Sequence, residues 1–367
     1  MKFAIGYRDA PGGEPFSAVV TDYREAVAEV YFSWSGQPSG RPNAPATDWG
    51  AQERLENELR KIRRLGVKLD LLFNANCYGA DAVSEKLERE VCGILERLDS
   101  LGLLPEIVTT ASVFIAELLR EAAPGIERRA SVNMRLDSLS ALDYLDGRFD
   151  SFYIRRDIQR NLGRVREFAD RCRERGWKLC MLANSGCLRN CPAQTFHDNF
   201  VAHSAEAATR RTSPEHSDPT ICWPYYRDPV RRIEFLKGSW IRPEDIRCYE
   251  GLVDVVKLAT RQHDRPRMVI GAYASGRFDG NLTMLMEPNF SSLFGREAGS
   301  TTAAFRTTGS EPPPTARRTA AIAAVRKSVA ASGRHLRTRV KAANPSGSQS
   351  SNGRTGGIRC RPERFRT

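Results

Sequence analysis

Residues 1–295 repeat one pattern, in which short apolar runs of strand-like composition alternate with amphipathic stretches of helical period. A strand followed by a helix, many times over, is typical of parallel βα units. Eight such units indicate a closed (β/α)8 TIM-like barrel. The predicted strands are Lys2–Gly6, Glu29–Phe32, Lys68–Phe73, Glu106–Thr109, Arg129–Val132, Ser151–Ile154, Lys178–Leu182 and Val253–Leu258.

Helices are expected between these strands, and a long insertion separates the seventh strand from the eighth. Such a long connection in a barrel indicates a functional segment. The expected helices lie near Tyr23–Val27, Trp49–Leu65, Ala82–Leu101, Ser112–Ala122, Ser138–Leu145, Asn161–Arg175 and, inside the insertion, Ala193–Ala208.

The pattern stops after about residue 295, where the composition changes to Ala, Ser, Thr, Pro, Gly and Arg. A segment of this kind cannot bury a core, so residues 296–367 are predicted to be a disordered basic low-complexity tail. The abrupt start and arginine-rich bias also fit translation of a shifted reading frame, and both interpretations stay open. The predicted domain organisation is therefore a barrel over 1–295 and a tail over 296–367.

The net charge of +12 at first favours a nucleic-acid partner. Residues 296–367, however, carry 15 Lys and Arg against 3 acidic residues, which leaves 41 basic and 41 acidic residues in 1–295. Electrostatic nucleic-acid binding by the body of the chain is therefore not favoured.

Hydropathy and cysteine usage predict a cytoplasmic protein with no membrane insertion. No run approaches the roughly 18 apolar residues that a membrane helix needs, and the first residues do not have the pattern of a signal peptide. In a reducing compartment, the nine cysteines indicate metal binding or catalysis in preference to disulfides.

Barrel enzymes carry their chemistry at the carboxyl ends of the strands. Amides and basic groups predominate at those positions here, without the pair of carboxylates that a glycosidase needs. A polar or anionic ligand is therefore expected. The candidate substrate-binding residues are Asn74, Asn76, Asn133, Arg135, Arg155, Lys257 and Arg261.

Four cysteines fall between the seventh and eighth strands, namely Cys187, Cys191, Cys222 and Cys248. A Cys-x3-Cys pair at a strand exit pre-positions two thiolate ligands, and Pro192 after the second resembles the Cys-Pro ending of ferredoxin runs. A metal centre is the prediction. Buried packing of the thiols and a zinc site completed by His197 and His203 remain alternatives, although an interval of six residues does not put both histidines on one helix face.

Five segments, in the same order and at spacings compatible with a barrel, resemble motifs of the U32 peptidase-like (collagenase-like protease) family, which includes the proteins of oxygen-independent ubiquinone hydroxylation. Glu29–Ser33 resembles AVYFG, Leu72–Asn76 resembles VTLN, Arg155–Ile158 resembles ARELS, Arg242–Cys248 resembles SPKDLC, and Val256–Arg261 resembles SLKIEGR. The resemblance covers roughly residues 1–280. It implies a barrel and, by similarity to members with four cysteines of this kind, a [4Fe-4S] cluster on Cys187, Cys191, Cys222 and Cys248.

The last motif departs from the family, because Ala259-Thr260 replaces Glu-Gly. Since no Gly-x-Ser-x-Gly elbow, HExxH motif or Cys–His pair with an orienting group is recognisable, hydrolysis is not favoured. The leading hypothesis is an iron-sulfur enzyme or accessory subunit that hydroxylates or otherwise modifies an aromatic or RNA substrate without oxygen, with a partner subunit of the same family. A U32-type peptidase and a zinc-binding non-catalytic barrel are the alternatives.

Overall fold

The repeated strand–helix pattern folds into a closed barrel of eight parallel strands, arranged around the barrel in chain order. The computed structural model describes residues 1–41, 47–210 and 220–294. Each strand pairs in parallel with the next, and β8 returns to β1. The predicted TIM-like barrel is thereby confirmed. The strands are β1 Phe3–Gly6, β2 Val27–Phe32, β3 Lys68–Phe73, β4 Ile107–Thr110, β5 Glu127–Ala130, β6 Ser151–Tyr153, β7 Lys178–Leu182 and β8 Val255–Leu258.

Helices form the outer layer of the barrel. They are α1 Phe16–Asp22, α2 Trp49–Arg64, α3 Glu85–Ser100, α4 Val113–Ala122, α5 Leu139–Asp143, α6 Leu162–Arg175, α7 Gln194–Ala202, α8 Ser204–Arg210, α9 Cys222–Arg227, α10 Pro266–Ser275 and α11 Ser291–Phe294. Short 3₁₀ helices occupy Gly79–Asp81, Val132–Met134, Arg231–Lys237, Pro243–Tyr249 and Leu282–Leu285.

Several predicted boundaries differ from the structure by a few residues, and the helix predicted at Ala193–Ala208 is divided into α7 and α8. Two of the differences have a clear local reason. The helix expected at Tyr23–Val27 lies earlier in the chain, because Phe16, Val19 and Val20 supply the buried face of α1 and Val27 already belongs to β2. Strand β5 begins two residues before the predicted start, because the charged side chains at its beginning are accommodated inside the barrel.

Side chains alternate between the barrel interior and the layer under the helices. The outer set, which includes Ile5, Val30 and Leu69, belongs to the main hydrophobic core between strands and helices. The inner set forms two smaller clusters, one around Tyr31 and one around Tyr153. The barrel is therefore a packed structure and not a pore.

A buried ion-pair network lies at the centre of the barrel. Arg129 on β5 donates to Glu29 on β2, and because these strands are not neighbours the contact crosses the interior. The same guanidinium donates to Glu127 at 2.7 Å and to Ser151 Oγ at 3.0 Å. Burial raises the pKa of Asp70 to about 7 despite the nearby Arg129. The interior is thus polar at its centre, which is an unusual use of strand positions.

Helix starts follow local capping rules. The side chains of Asp48, Ser84, Ser112, Ser138 and Asn161 each accept a hydrogen bond from a backbone N–H three residues further on. Such caps satisfy donors that have no partner within the helix. Helices α2 to α6 therefore begin where the sequence places an Asp, Ser or Asn.

The tail predicted for 296–367 lies outside the described residues, so its disorder stays a prediction. Within the described residues, no helix is long and apolar enough to cross a membrane.

Candidate functional site

A cavity of about 490 Å³ opens at the carboxyl ends of the strands, a size typical of ligand pockets. We call it the mouth pocket. Its floor is the top of the barrel interior and includes Tyr31, Leu72, Leu182, Lys257 and Ala259. Helix α7 forms one wall, since Gln194, His197, Asp198 and Val201, at helical spacing on one face, all line the pocket.

Four basic side chains line the mouth pocket, namely Arg41, Arg156, Lys257 and Arg261. Lys257 Nζ lies 3.8 Å from the ring centroid of Tyr31. Burial lowers the pKa of Lys257 to about 8, although Asp70 opposes the shift. Burial likewise lowers the pKa of Arg261 to about 10, with a further contribution from Arg41. The pocket therefore holds positive charge in a poorly solvated place, which favours an anionic ligand.

Two polar atoms at the mouth pocket have no hydrogen-bond partner among the described residues, namely Arg261 Nη1 and Glu287 Oε2. Arg261 donates instead through Nη2 to Ser39 Oγ at 3.0 Å, and Glu287 pairs through its other oxygen with Arg41. Buried polar atoms without partners are costly. A ligand that accepts from Arg261 and donates to Glu287 would satisfy both.

Three of the four predicted metal-ligating cysteines, Cys187, Cys191 and Cys222, line this pocket. Arg156 Nη1 donates to Cys187 Sγ at 3.3 Å and to Ser185 Oγ at 2.8 Å. Burial raises the pKa of Cys222 to about 11, and the neighbouring Cys187 adds to the shift. Burial also raises the pKa of Cys191. The three thiols thus form one group, in which Cys191 and Cys222 resist ionisation.

Cys248 lies elsewhere. It belongs to the 3₁₀ helix Pro243–Tyr249 and packs against the main hydrophobic core. Two residues later, the carboxylate of Glu250 is 3.8 Å from the amino group of Met1, which precedes β1. This position is near the amino ends of the strands, whereas the pocket is at their carboxyl ends. The structure brings three of the four cysteines together and not the fourth.

Neither predicted metal site is fully assembled among the described residues. Within the described ranges 1–41, 47–210 and 220–294, no group of three or more His, Cys, Asp and Glu side chains has the geometry of a metal site. A cluster bound by all four cysteines does not fit the position of Cys248. The zinc alternative is not assembled either, because His197 lines the mouth pocket whereas His203 contacts Cys77.

The predicted substrate-binding residues separate into two groups. Asn74, Asn133, Lys257 and Arg261 line the mouth pocket. Asn74 Oδ1 accepts from the backbone N–H of Gly40 at 3.0 Å, and Asn133 donates to the carbonyl of Asn74 at 3.0 Å. These amides therefore also hold the loops that shape the pocket.

Asn76, Arg135 and Arg155 do not line the pocket as described. Asn76 and Arg135 both contact Asp198 of α7, at 3.4 and 3.1 Å, so they position the helical wall. Arg155 pairs with Asp137 at 2.8 Å and with Asp157 at 2.7 Å. Its neighbour Arg156, which lies beyond the end of β6, reaches the pocket instead.

Sequence reasoning missed Arg41 and Glu287, which come from loops far apart in the chain and pair across the pocket. It also missed a cysteine–histidine pair. The thiol of Cys77 and the imidazole of His203 share a hydrogen bond, and His203 Nδ1 lies 3.5 Å from Glu206 Oε1. No such pair was recognisable in the sequence, because the two partners are separated by more than a hundred residues.

The chain is similar in sequence and in fold to known proteins. No family model matches the chain. Over 243 residues, 64% of this chain and 68% of the relative, it is 28% identical to an uncharacterized protease from Methanocaldococcus jannaschii. The chain is thus similar to proteins of the U32 peptidase-like type. Among solved structures, a U32 peptidase matches with 16% identity and a TM-score of 0.49, over 70% of this chain and 92% of the other.

Two of the segments that resemble U32 motifs lie on strands of the barrel. The segment resembling AVYFG ends β2, and the segment resembling SLKIEGR is β8 with its exit, so Tyr31 and Lys257 meet at the floor of the mouth pocket. Residues of these two motifs are thus brought together by the closure of the barrel.

Proposed function

We propose that this protein is an iron-sulfur enzyme of the U32 peptidase-like type, which binds an anionic aromatic or RNA substrate in the mouth pocket and modifies it, for example by hydroxylation, without oxygen. The observation that carries the proposal is that three cysteine thiols and four basic side chains line one pocket. The resemblance to members with cysteine-bound clusters supplies the identity of the metal.

The thiols suit a soft, thiophilic centre. Thiolate is the ligand form, and burial keeps Cys191 and Cys222 protonated in the absence of a counter-charge. Bound iron would supply that charge and drive the loss of the thiol protons. The contact from Arg156 to Cys187 adds a hydrogen bond to sulfur, which is one way in which a protein tunes such a centre.

The remainder of the pocket supports the substrate class. Lys257 and Arg261 offer positive charge at the floor, and Tyr31 and Trp223 offer aromatic faces. Phosphate or carboxylate groups pair with such cations, and planar rings stack on such faces. An aromatic acid or a single-stranded nucleotide combines both features.

Anaerobic purification followed by iron and acid-labile sulfide analysis tests the proposal. We expect a brown protein whose chromophore is lost in Cys191→Ala and Cys222→Ala and kept in Cys92→Ala, since Cys92 lies half-exposed on α3, outside the pocket. A protein that stays colourless and iron-free after reconstitution would contradict the proposal. Zinc in place of iron would favour the non-catalytic barrel.

Cys248→Ala gives the number of cysteine ligands in the same experiment. Loss of the chromophore would mean that the 3₁₀ helix Pro243–Tyr249 moves when the cluster binds, as the four-cysteine prediction requires. Retention would mean that Cys187, Cys191 and Cys222 suffice. The spectrum of the variant distinguishes the two directly.

The peptidase alternative gains one specific observation, namely the Cys77–His203 pair. The relative from M. jannaschii is described as a protease, and a thiol beside an imidazole is one of the groups that can hydrolyse an amide.

A further inference from the structure

A second cluster of reactive groups lies beside α7, outside the mouth pocket. Cys77 follows β3 and is half-exposed. The backbone N–H of Gly79 donates to its sulfur at 3.3 Å, and His203 shares a hydrogen bond with the thiol. Neither Cys77 nor His203 lines the mouth pocket. The cluster is therefore a separate feature of the surface.

Local structure holds these groups together. Gly79 has a φ of +58°, a left-handed conformation that turns the chain so that its N–H points back to Cys77. His203 ends α7, with its backbone N–H bonded to the carbonyls of Asn199 and Phe200. Glu206 is one turn further on in α8, and its carboxylate is 3.5 Å from His203 Nδ1.

The electrostatics favour an ion pair between sulfur and imidazole. The hydrogen bond from His203 and the N–H of Gly79 both lower the pKa of Cys77. The contact with Cys77 and the carboxylate of Glu206 both raise the pKa of His203. A thiolate beside an imidazolium with a carboxylate behind it is the arrangement that activates cysteine nucleophiles.

An apolar surface adjoins the cluster. Phe196, Phe200 and His203 are spaced four and three residues apart, so they share one face of α7. The two phenyl rings are stacked, with centroids 6.5 Å apart and planes at 11°. They are 60% and 38% exposed. Exposed apolar side chains beside a nucleophile offer a contact for an apolar acyl group or peptide side chain.

From this geometry we infer that Cys77 is a nucleophile for acyl transfer from esters or amides with an apolar acyl part, with His203 as its acid–base partner and Glu206 as a positioning residue. The sulfur attacks the carbonyl carbon and forms a C–S bond, and the C–O or C–N bond then breaks as His203 gives its proton to the leaving group. A water molecule, which gives one proton to His203, hydrolyses the thioester and releases the acid. The thiol is restored.

Alkylation of the full chain by iodoacetamide at pH 7, read by peptide mass spectrometry, tests the nucleophile. Each unit of lowered pKa raises the thiolate fraction about tenfold and lowers its intrinsic reactivity about threefold. We therefore expect Cys77 to react about threefold or more faster than Cys92, which is also half-exposed but whose pKa is raised by burial. His203→Gln should slow Cys77 by a similar factor and leave Cys92 unchanged, and Glu206→Gln should slow it less. Equal rates at the two cysteines, or a Cys77 rate indifferent to His203→Gln, would overturn the inference.

Turnover of p-nitrophenyl acetate tests the acyl-transfer step. We expect an acetylated Cys77 peptide in the wild type and loss of p-nitrophenol release in Cys77→Ala, whereas Cys92→Ala keeps it. Fast alkylation without an acetyl adduct, or undiminished turnover in Cys77→Ala, would overturn acyl transfer. Circular dichroism verifies folding of each variant. Since Cys77→Ala leaves Cys187, Cys191 and Cys222 intact, its iron content reports on the proposed cluster independently.

Discussion

Replacement of Arg129 by methionine is expected to destabilise the barrel strongly. The side chain of Arg129 is 1% exposed and forms ion pairs with Glu29 and Asp70, whose side chains are 2% and 0% exposed. Methionine keeps much of the volume but leaves both carboxylates in the interior without their counter-charge. Breaking one partner of a buried ion pair costs about 3–5 kcal/mol, and we expect a loss in this range in the free energy of unfolding at pH 7.

Urea unfolding followed by tryptophan fluorescence and circular dichroism measures this loss. The matched control is Lys178→Met, because Lys178 is 46% exposed in its pair with Glu127 and such pairs contribute about 0–1 kcal/mol. The direction in which this loss of unfolding free energy changes with pH follows from the ionisation of the buried carboxyl groups. Without Arg129 the pKa of Asp70 in the folded state, which burial already raises to about 7, rises further above its unfolded value. The neutral form of Asp70 is then favoured, and the loss should shrink between pH 7 and pH 5. A loss below about 1 kcal/mol at pH 7 would refute the reasoning.

Three further results are expected. Ser112→Ala removes the N-cap of α4 and should cost about 1 kcal/mol, seen as a lower Tm, whereas the exposed Ser140→Ala should not. Gly186→Ala places a Cβ 2.9 Å from the ring of Phe290, and an unfolding free energy lowered by about 1–3 kcal/mol in urea would confirm this crowding. Sulfate, whose charge is constant near neutrality, should bind the mouth pocket more weakly at pH 9 than at pH 7 by calorimetry, because Lys257, with a pKa of about 8, loses its charge; Lys257→Met should bind weakly at both.

The barrel could be predicted because its information is local. Strands buried on both faces are short apolar runs, and capping residues mark the starts of helices α2 to α6. The errors occur where this local signal is overridden. At the start of β5 the charged residues Glu127 and Arg129 have the composition of an exposed segment. They lie inside the barrel because Arg129 pairs with Glu127 and with Glu29 of β2, which the local sequence does not reveal.

The candidate site was predictable to the extent that it is built from strand ends. Asn74, Asn133 and Lys257 were found because a residue at the end of a barrel strand faces the mouth. Arg41 and Glu287 come from loops, where sequence does not reveal which residues meet. Cys248 was predicted to join the other three cysteines because it follows them in the same insertion. It does not line the pocket, since closeness in sequence does not bring a side chain to the same end of the barrel.

Helix α7 contributes residues to both proposed sites, so a change in its position should affect both. One face lines the mouth pocket, and the carboxyl end delivers His203 to Cys77. Arg135 holds the helix through Thr195 at 2.6 Å and Asp198 at 3.1 Å.

Arg135→Ala should therefore slow alkylation of Cys77 and weaken sulfate binding together, with little change in the unfolding midpoint, because the partners are partly solvated. Arg155→Ala, which removes two ion pairs outside the pocket, is the matched control and should change neither. If Arg135→Ala affects only one site, α7 does not hold the two as one unit. If it affects neither, packing of the helix and not this arginine sets its position.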